Sequence, residues 1–153
     1  MEEEKVILVN EQDEKIGLMP KQEAHEKGLL HRAFSVFIFN GKNELMLQQR
    51  ALHKYHSPGL WTNTCCSHQR DGDLKETTSF IYKAPFDNGL TEHELDHILV
   101  GNFEGTPNIN KDEVAAWKWM YLDDVKKDIQ ANPENYTAWF KIIFDKFYQH
   151  LLV

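Results

Sequence analysis

The stretch Trp61-Thr62-Asn63-Thr64-Cys65-Cys66-Ser67-His68 is rich in β-branched and aromatic residues, and it predicts an extended strand over residues 60–68. Because side chains two apart on a strand share a face, Cys66 and His68 point to one side and Cys65 and Ser67 to the other. Adjacent cysteines suit neither a disulfide nor the Cys-x-x-Cys spacing of a metal site. We therefore expect reduced thiols in a cytoplasmic protein.

On both sides of this stretch, short apolar segments alternate with turns. Residues 6–9 and 16–18 predict a hairpin, and residues 21–27 predict a short helix with Pro20 at its first position and Gly28 just past its end. Further strands are expected at residues 33–39, 44–49, 77–83, 92–100 and 114–121, and helices at residues 122–130 and from Thr137 through Leu151. Many strands with few helices predict an α+β fold centred on a mixed sheet.

The length and charge of the chain exclude several classes of protein. A chain of 153 residues without a linker or repeat predicts a single domain over residues 1–153. Lys and Arg total 17 against 24 Asp and Glu, for a net charge of -7, so we expect neither nucleic acid nor an anionic membrane surface as a partner. No apolar run approaches the ~18 residues of a membrane span, and the acidic start is unlike a secretory signal.

Histidines and carboxylates form a candidate metal-ligand set. His25 and His31 flank the end of the predicted short helix, close enough in sequence to converge on one point. Glu92 and Glu94 share a strand face, with Asp96 continuing it, and two carboxylates on one face repel unless a cation or proton lies between them. With His68, five ligands are available, a mixture that suits Mn²⁺, Zn²⁺ or Fe²⁺ better than Mg²⁺.

Each of these signals also has an ordinary structural explanation. Glu-x-Glu is common on solvated strand faces, and a single cysteine such as Cys66 is more often a small buried apolar residue than a catalyst. Tyr82 and Trp139 are by default core aromatics. By the same reasoning, a lone histidine is a surface or packing residue, as at His53, His56, His97 and His150. The combination of signals, rather than any one of them, favours a site.

Several separate motifs occur together along the chain. These are the stretch quoted above with Pro58-Gly59 before it, Arg50-Ala51-Leu52-His53-Lys54, and His31-Arg32-Ala33-Phe34-Ser35. Tyr82 lies ten residues before Glu92-His93-Glu94, and Trp139 lies near the C-terminus. Together these motifs resemble type I isopentenyl diphosphate isomerase. The resemblance covers almost the whole chain, with its motifs in the right order.

The resemblance implies a Nudix-like fold, with flanking helices, and conversion of isopentenyl diphosphate to dimethylallyl diphosphate. It implies a divalent cation, Mn²⁺, Zn²⁺ or Mg²⁺, held by His25, His31, His68, Glu92 and Glu94. Cys66 and Glu94 would transfer protons on opposite faces of the substrate, with Tyr82 assisting Glu94. Trp139 would cover the hydrocarbon end, and the diphosphate contacts would be Lys21, Arg50 and Lys54.

One departure from that family is large. Its members continue after the Cys-x-His segment with a glycine-led stretch and the Nudix helix, whereas residues 69–76 here run almost straight into the strand predicted from Thr77. About twenty residues are absent, roughly one helix with its loops. The loss removes a glutamate donor from a second Mg²⁺ site beside the diphosphate, which puts that site in doubt. It also uncovers an apolar sheet face, which favours a homodimer or a domain swap.

The sequence thus predicts an isomerase whose activity is weakened by impaired diphosphate binding. The alternatives are a catalytically inactive relative that binds metal and diphosphate, a Nudix pyrophosphohydrolase, and a purely structural protein. The hydrolase is disfavoured because hydrolysis in that family relies on glutamates of the missing helix. A structural protein would leave the His/Glu set without metal.

Overall fold

A computed structural model describes residues 4–54, 56–64 and 74–152. By its contacts the chain falls into two compact units, Met1–Phe34 with Thr78–His97 (unit 1) and Ser35–Thr77 with Ile98–Val153 (unit 2). The expectation of a single domain stays a prediction. Cys65, Cys66 and His68 lie outside the described residues, so the roles expected of them also stay predictions.

The described residues form eight strands, three α-helices and two short 3-10 helices, which confirms the α+β class. The elements in chain order are β1 (Lys5–Val9), β2 (Lys15–Pro20), α1 (Lys21–Lys27), β3 (His31–Phe39), β4 (Glu44–Arg50), β5 (Trp61–Thr62), β6 (Leu74–Pro85), β7 (Thr91–Asn102), β8 (Val114–Tyr121), α2 (Leu122–Ala131) and α3 (Ala138–Lys146), with the 3-10 turns at Pro133–Asn135 and Tyr148–Leu151. Among these residues, no helix is both long enough and apolar enough to cross a bilayer.

Unit 1 contains the β1–β2 hairpin, α1, the start of β3, and most of β6 paired with the first half of β7. The hairpin is antiparallel, and β1 also pairs with β3 through Leu8 and His31. Between α1 and β3 the chain turns at Gly28, whose φ of 65° is left-handed and therefore suits glycine. Because that turn is tight, the ring centroids of His25 and His31 are only 5.2 Å apart.

Unit 2 is organised around β4, which pairs antiparallel with β8 along its length and with β5 at Gln48 and Gln49. A parallel bridge joins Trp61 to Tyr136 at the approach to α3. Phe140 of α3 is fully buried and stacks on Phe37 of β3, with ring centroids 5.9 Å apart. This packing fixes the first turn of α3, which bears Trp139.

The strand predicted over residues 60–68 is observed only at Trp61–Thr62, with Thr64 in an isolated bridge and residues 65–68 outside the described residues. Most other predicted elements differ from the observed ones at their ends. Pro20 is the last residue of β2, directly before the helix, rather than the first helical residue. The C-terminal helix ends at Lys146, because Phe147 has a non-helical φ of −125°, and a 3-10 turn takes its place. β6 and β7 each extend beyond the predicted strands.

Thr64 forms an isolated bridge with Val36, and the next described element, β6, begins at Leu74. The residues between them, 65–73, lie outside the described residues, so the predicted loss of the Nudix helix stays a prediction here.

Candidate functional site

Three potential metal ligands converge in unit 1. His25 comes from α1, His31 is the first residue of β3, and Glu94 lies on β7. One ligand atom from each of the three lies within 4.8 Å of the others. Both imidazoles are buried, with 1% of each residue exposed. Two imidazoles and a carboxylate at this spacing are a suitable donor set for a divalent cation.

The ring of His31 is oriented by its other nitrogen. Its Nδ1 donates a hydrogen bond to the carbonyl oxygen of Leu29 at 3.0 Å, so Nε2 is the nitrogen that faces Glu94. This is the arrangement that fixes the tautomer of a metal-binding histidine. The Nε2 atom lies 3.2 Å from Oε2 of Glu94, and a lone pair facing a carboxylate oxygen requires a proton or a cation between them. The site therefore fits a bound metal ion.

The two imidazoles differ in their affinity for protons. Burial, and then the neighbouring His31, lowers the pKa of His25 to about 4. Burial also opposes protonation of His31, but the hydrogen bonds to Glu94 and to the Leu29 carbonyl outweigh it and raise the pKa of His31. At neutral pH, His25 is consequently a neutral imidazole, which is the form that binds metal.

Tyr82 joins both predicted carboxylates. Its phenol is hydrogen-bonded to Glu92 and to Glu94, which confirms that these two side chains share one face of β7. Burial, followed by the charges of Glu94 and Glu92, raises the pKa of Tyr82 well above its usual value, so the phenol stays protonated. A phenol carries one proton and donates to one carboxylate at a time, so the second contact requires a further proton or a cation.

The two lysines predicted to contact diphosphate have acidic partners in the structure. In unit 1, Lys21 lies at the start of α1 with its Nζ 3.7 Å from Glu4, and its charge helps lower the pKa of His25. In unit 2, Lys54 forms an ion pair with Glu113. These pairs are partly exposed, so exchanging the acidic partner for another anion costs little.

Trp139 and Arg50 meet in unit 2. The Arg50 guanidinium carbon lies 5.5 Å from the centroid of the Trp139 ring, and Nη2 of Arg50 donates to the carbonyl of His56 at 3.3 Å. The indole Nε1 of Trp139 donates to Oδ1 of Asn63 at 3.0 Å. The two groups predicted to contact the diphosphate and the hydrocarbon end of the substrate are therefore neighbours.

Two further residues contact the Trp139 indole. His56 was predicted to be a surface or packing residue, and this is confirmed: it is buried, and its ring meets the indole edge-on with centroids 6.1 Å apart. Asn63 escaped the sequence analysis, although it lies within the stretch Trp61–His68 that was quoted first. The available signal was an amide within a β-branched strand, where asparagine is disfavoured unless its side chain has a specific partner.

Comparison with known proteins places the chain in a family. A NUDIX domain family model matches residues 70–140. An isopentenyl-diphosphate Delta-isomerase 2 of Aromatoleum aromaticum is 44% identical, over 94% of this chain and 86% of the relative. An isopentenyl-diphosphate Delta-isomerase of Pectobacterium atrosepticum is 43% identical, over 91% of this chain and 88% of the relative. The chain belongs to the isopentenyl-diphosphate Delta-isomerase family.

Solved structures similar to this isomerase-family chain agree with the fold. The DR0079 protein of Deinococcus radiodurans matches with a TM-score of 0.67 at 16% identity, over 93% of this chain and 98% of the other. A MutT protein of Methanosarcina mazei matches with a TM-score of 0.56 at 14% identity, over 78% and 94%. Together with the NUDIX match, these likenesses confirm the predicted Nudix-like α+β fold.

The isomerase relatives also bear on the length of the chain. The alignment with the Aromatoleum aromaticum protein runs over 163 residues, more than the 153 of this chain, although only 94% of the chain is included. The relative therefore has residues with no counterpart here. This agrees with a segment missing from this member of the family.

Proposed function

We propose that this chain is an enzyme that interconverts isopentenyl diphosphate and dimethylallyl diphosphate. Family membership supports the reaction, and the position of Glu94 supports the site. One carboxylate oxygen of Glu94 faces His31 and the other contacts the phenol of Tyr82. The same side chain thus belongs to a candidate metal site and to a chain of proton donors and acceptors.

Shifting a double bond requires that a proton be added at one carbon and another removed nearby, so two acid/base groups are needed. Glu94 is the first, and the phenol of Tyr82, which stays protonated, assists it by donating a hydrogen bond that orients the carboxylate. The second group is Cys66, on the basis of the family resemblance. We place these two groups on opposite faces of the substrate for the same reason.

A divalent cation is part of the proposal. His25, His31 and Glu94 would hold it, with Glu92 and His68 as further ligands, and the donor set is compatible with Mn²⁺, Zn²⁺ or Mg²⁺. When bound, the cation favours the ionised form of the Glu94 carboxyl. A second Mg²⁺ beside the diphosphate would lack the glutamate that the Nudix helix normally supplies.

The substrate itself has a hydrocarbon end and a diphosphate end. An indole face stabilises a carbocation-like centre without attacking it, which suits Trp139. Arg50 binds the diphosphate with two parallel hydrogen bonds, the arrangement that guanidinium favours. Lys21 and Lys54 add charge by exchanging Glu4 and Glu113 for phosphate oxygens. A cytoplasmic location and self-association remain predictions from the sequence.

The deciding experiment follows conversion of isopentenyl to dimethylallyl diphosphate with Mg²⁺ and Mn²⁺, against Cys66→Ala. We expect turnover that requires a divalent cation and is lost in the variant. Binding of metal and diphosphate without deuterium incorporation from solvent would identify an inactive relative instead. Release of phosphate from the substrate would identify a hydrolase. A turnover no greater than that of Cys66→Ala would overturn the proposal.

A further inference from the structure

The side-chain amide of Asn63 makes four hydrogen bonds within unit 2. Its Oδ1 accepts from Nε1 of Trp139 at 3.0 Å and from the hydroxyl of Thr62 at 2.8 Å. Its Nδ2 donates to the carbonyl oxygens of Val36 at 3.1 Å and of Thr64 at 3.2 Å. Two acceptor sites and two donor hydrogens are all that an amide has, so its hydrogen-bonding capacity is used in full.

These partners permit only one orientation of the amide. In the reverse orientation, the amide oxygen would face the carbonyls of Val36 and Thr64, and the amide nitrogen would face the indole N–H. Each of these contacts would place two acceptors or two donors against each other, in a site where Asn63 is only 5% exposed. The oxygen of Asn63 is therefore held toward Trp139 by the two carbonyls behind it.

A second set of hydrogen bonds connects Thr62 to the residue before α3. The hydroxyl of Thr62, which donates to Asn63, lies 2.9 Å from the hydroxyl of Thr137, the residue that precedes α3. Backbone atoms reinforce this link, because the amide of Thr137 donates to the carbonyl of Trp61 at 3.1 Å. The backbone at the start of α3 and the indole of Trp139 are thus both tied to residues 61–63.

We propose that Asn63 is a positioning residue that fixes the plane and raises the electron density of the Trp139 indole. This inference rests on the proposed function, in which that ring stabilises positive charge. A hydrogen bond at Nε1 restricts rotation about both side-chain torsions of the tryptophan. Because the amide oxygen draws the N–H proton toward itself, the ring becomes more negative and attracts a cation more strongly. Asn63 acts through Trp139 and does not touch the substrate.

A double-mutant cycle with Asn63→Leu and Trp139→Phe tests this role. Alone, Asn63→Leu should lower kcat about 10- to 100-fold and change KM less, since a lost transition-state interaction affects kcat. In the Trp139→Phe background, where the ring has no N–H, the same substitution should lower kcat less than about twofold. An equal loss of kcat in both backgrounds would overturn the proposal.

A spectroscopic readout separates this inference from the proposed function. The ¹H–¹⁵N resonance of the Trp139 Nε1–H, assigned by its loss in Trp139→Phe, should shift upfield in Asn63→Leu, since the proton loses its acceptor. An unchanged resonance would refute the positioning role whether or not the protein is an active isomerase. Conversely, a shifted resonance in a protein without turnover would refute the proposed function alone.

Two further variants guard against a general loss of structure. Asn63→Asp retains an acceptor for the indole and loses both donors, so its melting temperature should fall while the Trp139 Nε1–H resonance stays downfield of its position in Asn63→Leu. Thr62→Val removes a neighbouring hydrogen bond and should leave the Trp139 resonance in place. If Asn63→Leu does not fold, Asn63→Ala tests the same expectations without added bulk.

Discussion

Nε2 of His31 and Oε2 of Glu94 lie 3.2 Å apart although 63 positions separate the two residues along the chain. The contact exists because β3 begins directly after the Gly28 turn and β7 pairs with it. Both partners are largely buried, and His25 completes the cluster. A small number of local features therefore determines the geometry of the candidate metal site.

Glu94→Gln should weaken metal binding, because an amide oxygen replaces an anionic ligand. We expect a loss of about 10- to 100-fold in affinity for Mn²⁺ or Zn²⁺, measured by competition with a chromogenic chelator. Glu92→Gln is the matched comparison: Glu92 is proposed as a further ligand but lies outside the three-residue cluster, so its loss of affinity should be smaller. A larger loss in Glu92→Gln than in Glu94→Gln would contradict this assignment of ligands.

The lowered pKa of His25 predicts that the metal-free protein loses stability in acid. The pKa is about 4 in the folded state and 6.5 in the unfolded state, so between these values the unfolded chain binds more protons. The free energy of unfolding should be at its full value above pH 6.5 and should fall by roughly 3 kcal/mol as the pH drops through about 4.

Urea denaturation in the presence of a chelator, repeated from pH 4 to 7.5, measures this effect. His25→Gln removes the titrating ring, so its profile should be flatter over the same range. His31 has the opposite shift and stabilises the fold at low pH, an effect lost as the pH rises through its raised pKa. Parallel profiles for the parent and His25→Gln would show that burial of His25 is not the cause.

Tyr82→Phe should impair catalysis more than it impairs folding. The ring remains stacked on Phe80, while the proton shared with Glu92 and Glu94 is removed. We expect kcat to fall about 10²- to 10⁴-fold, the usual contribution of a general acid or base, and stability to fall by about 1–3 kcal/mol. Tyr136→Phe is the control, because this buried tyrosine also donates to a carboxylate, that of Asp128. Equal loss of kcat in both variants would remove Tyr82 from the mechanism.

Arg50→Ala should raise the KM for the diphosphate substrate about 10- to 100-fold, since a charge-assisted contact to phosphate contributes about 1.5–3 kcal/mol. Lys118→Ala provides the matched control. Lys118 also lies over a tryptophan, with its Nζ 4.2 Å from the ring of Trp61, but it has no proposed role in the site. Steady-state kinetics should show a normal KM for that control. An unchanged KM in Arg50→Ala would mean that this guanidinium does not bind the diphosphate.

Gly28→Ala should lower the free energy of unfolding by about 1 kcal/mol or more, because alanine at a φ of 65° is strained. The same substitution should also weaken metal binding. Its Cβ would lie 3.4 Å from Cβ of Thr91, next to the carboxylate strand, and the turn itself sets the approach of His25 to His31. Gly89→Ala has a similar φ of 83° with no atom within 4 Å. Thermal melts should show comparable losses of stability in the two variants. Metal titration should show weaker binding in Gly28→Ala than in Gly89→Ala. Equal metal affinity in both variants would exclude a role for the Gly28 turn in the site.

The sequence predicted the features that depend on local periodicity. Alternation along a strand was enough to place Glu92 and Glu94 on one face, and the Pro20 and Gly28 signals were enough to bound α1 within a residue. The number and order of the strands followed from turn residues and apolar segments. These predictions succeed because each depends on interactions between residues that are near in sequence.

Contacts between distant residues were beyond such reasoning. Asn63 and Trp139 lie 76 positions apart, and no pattern in either segment names the other as its partner. The pairing of Lys54 with Glu113 likewise depends on how β4 and β8 are joined in register. The resemblance identified Trp139 as a functional residue, but the amide that orients its ring is visible only once the chain is folded.

The pKa of His25 is lowered and the pKa of His31 is raised, so a proton competes with a metal ion at His31 but not at His25 near neutral pH. Below the raised pKa of His31, its proton neutralises Glu94, and a cation can enter only as that proton leaves. His25 needs no such release above about pH 4. Metal occupancy of the site therefore depends on pH as well as on metal concentration. His25 is ready to bind metal above about pH 4, whereas His31 must first lose its proton.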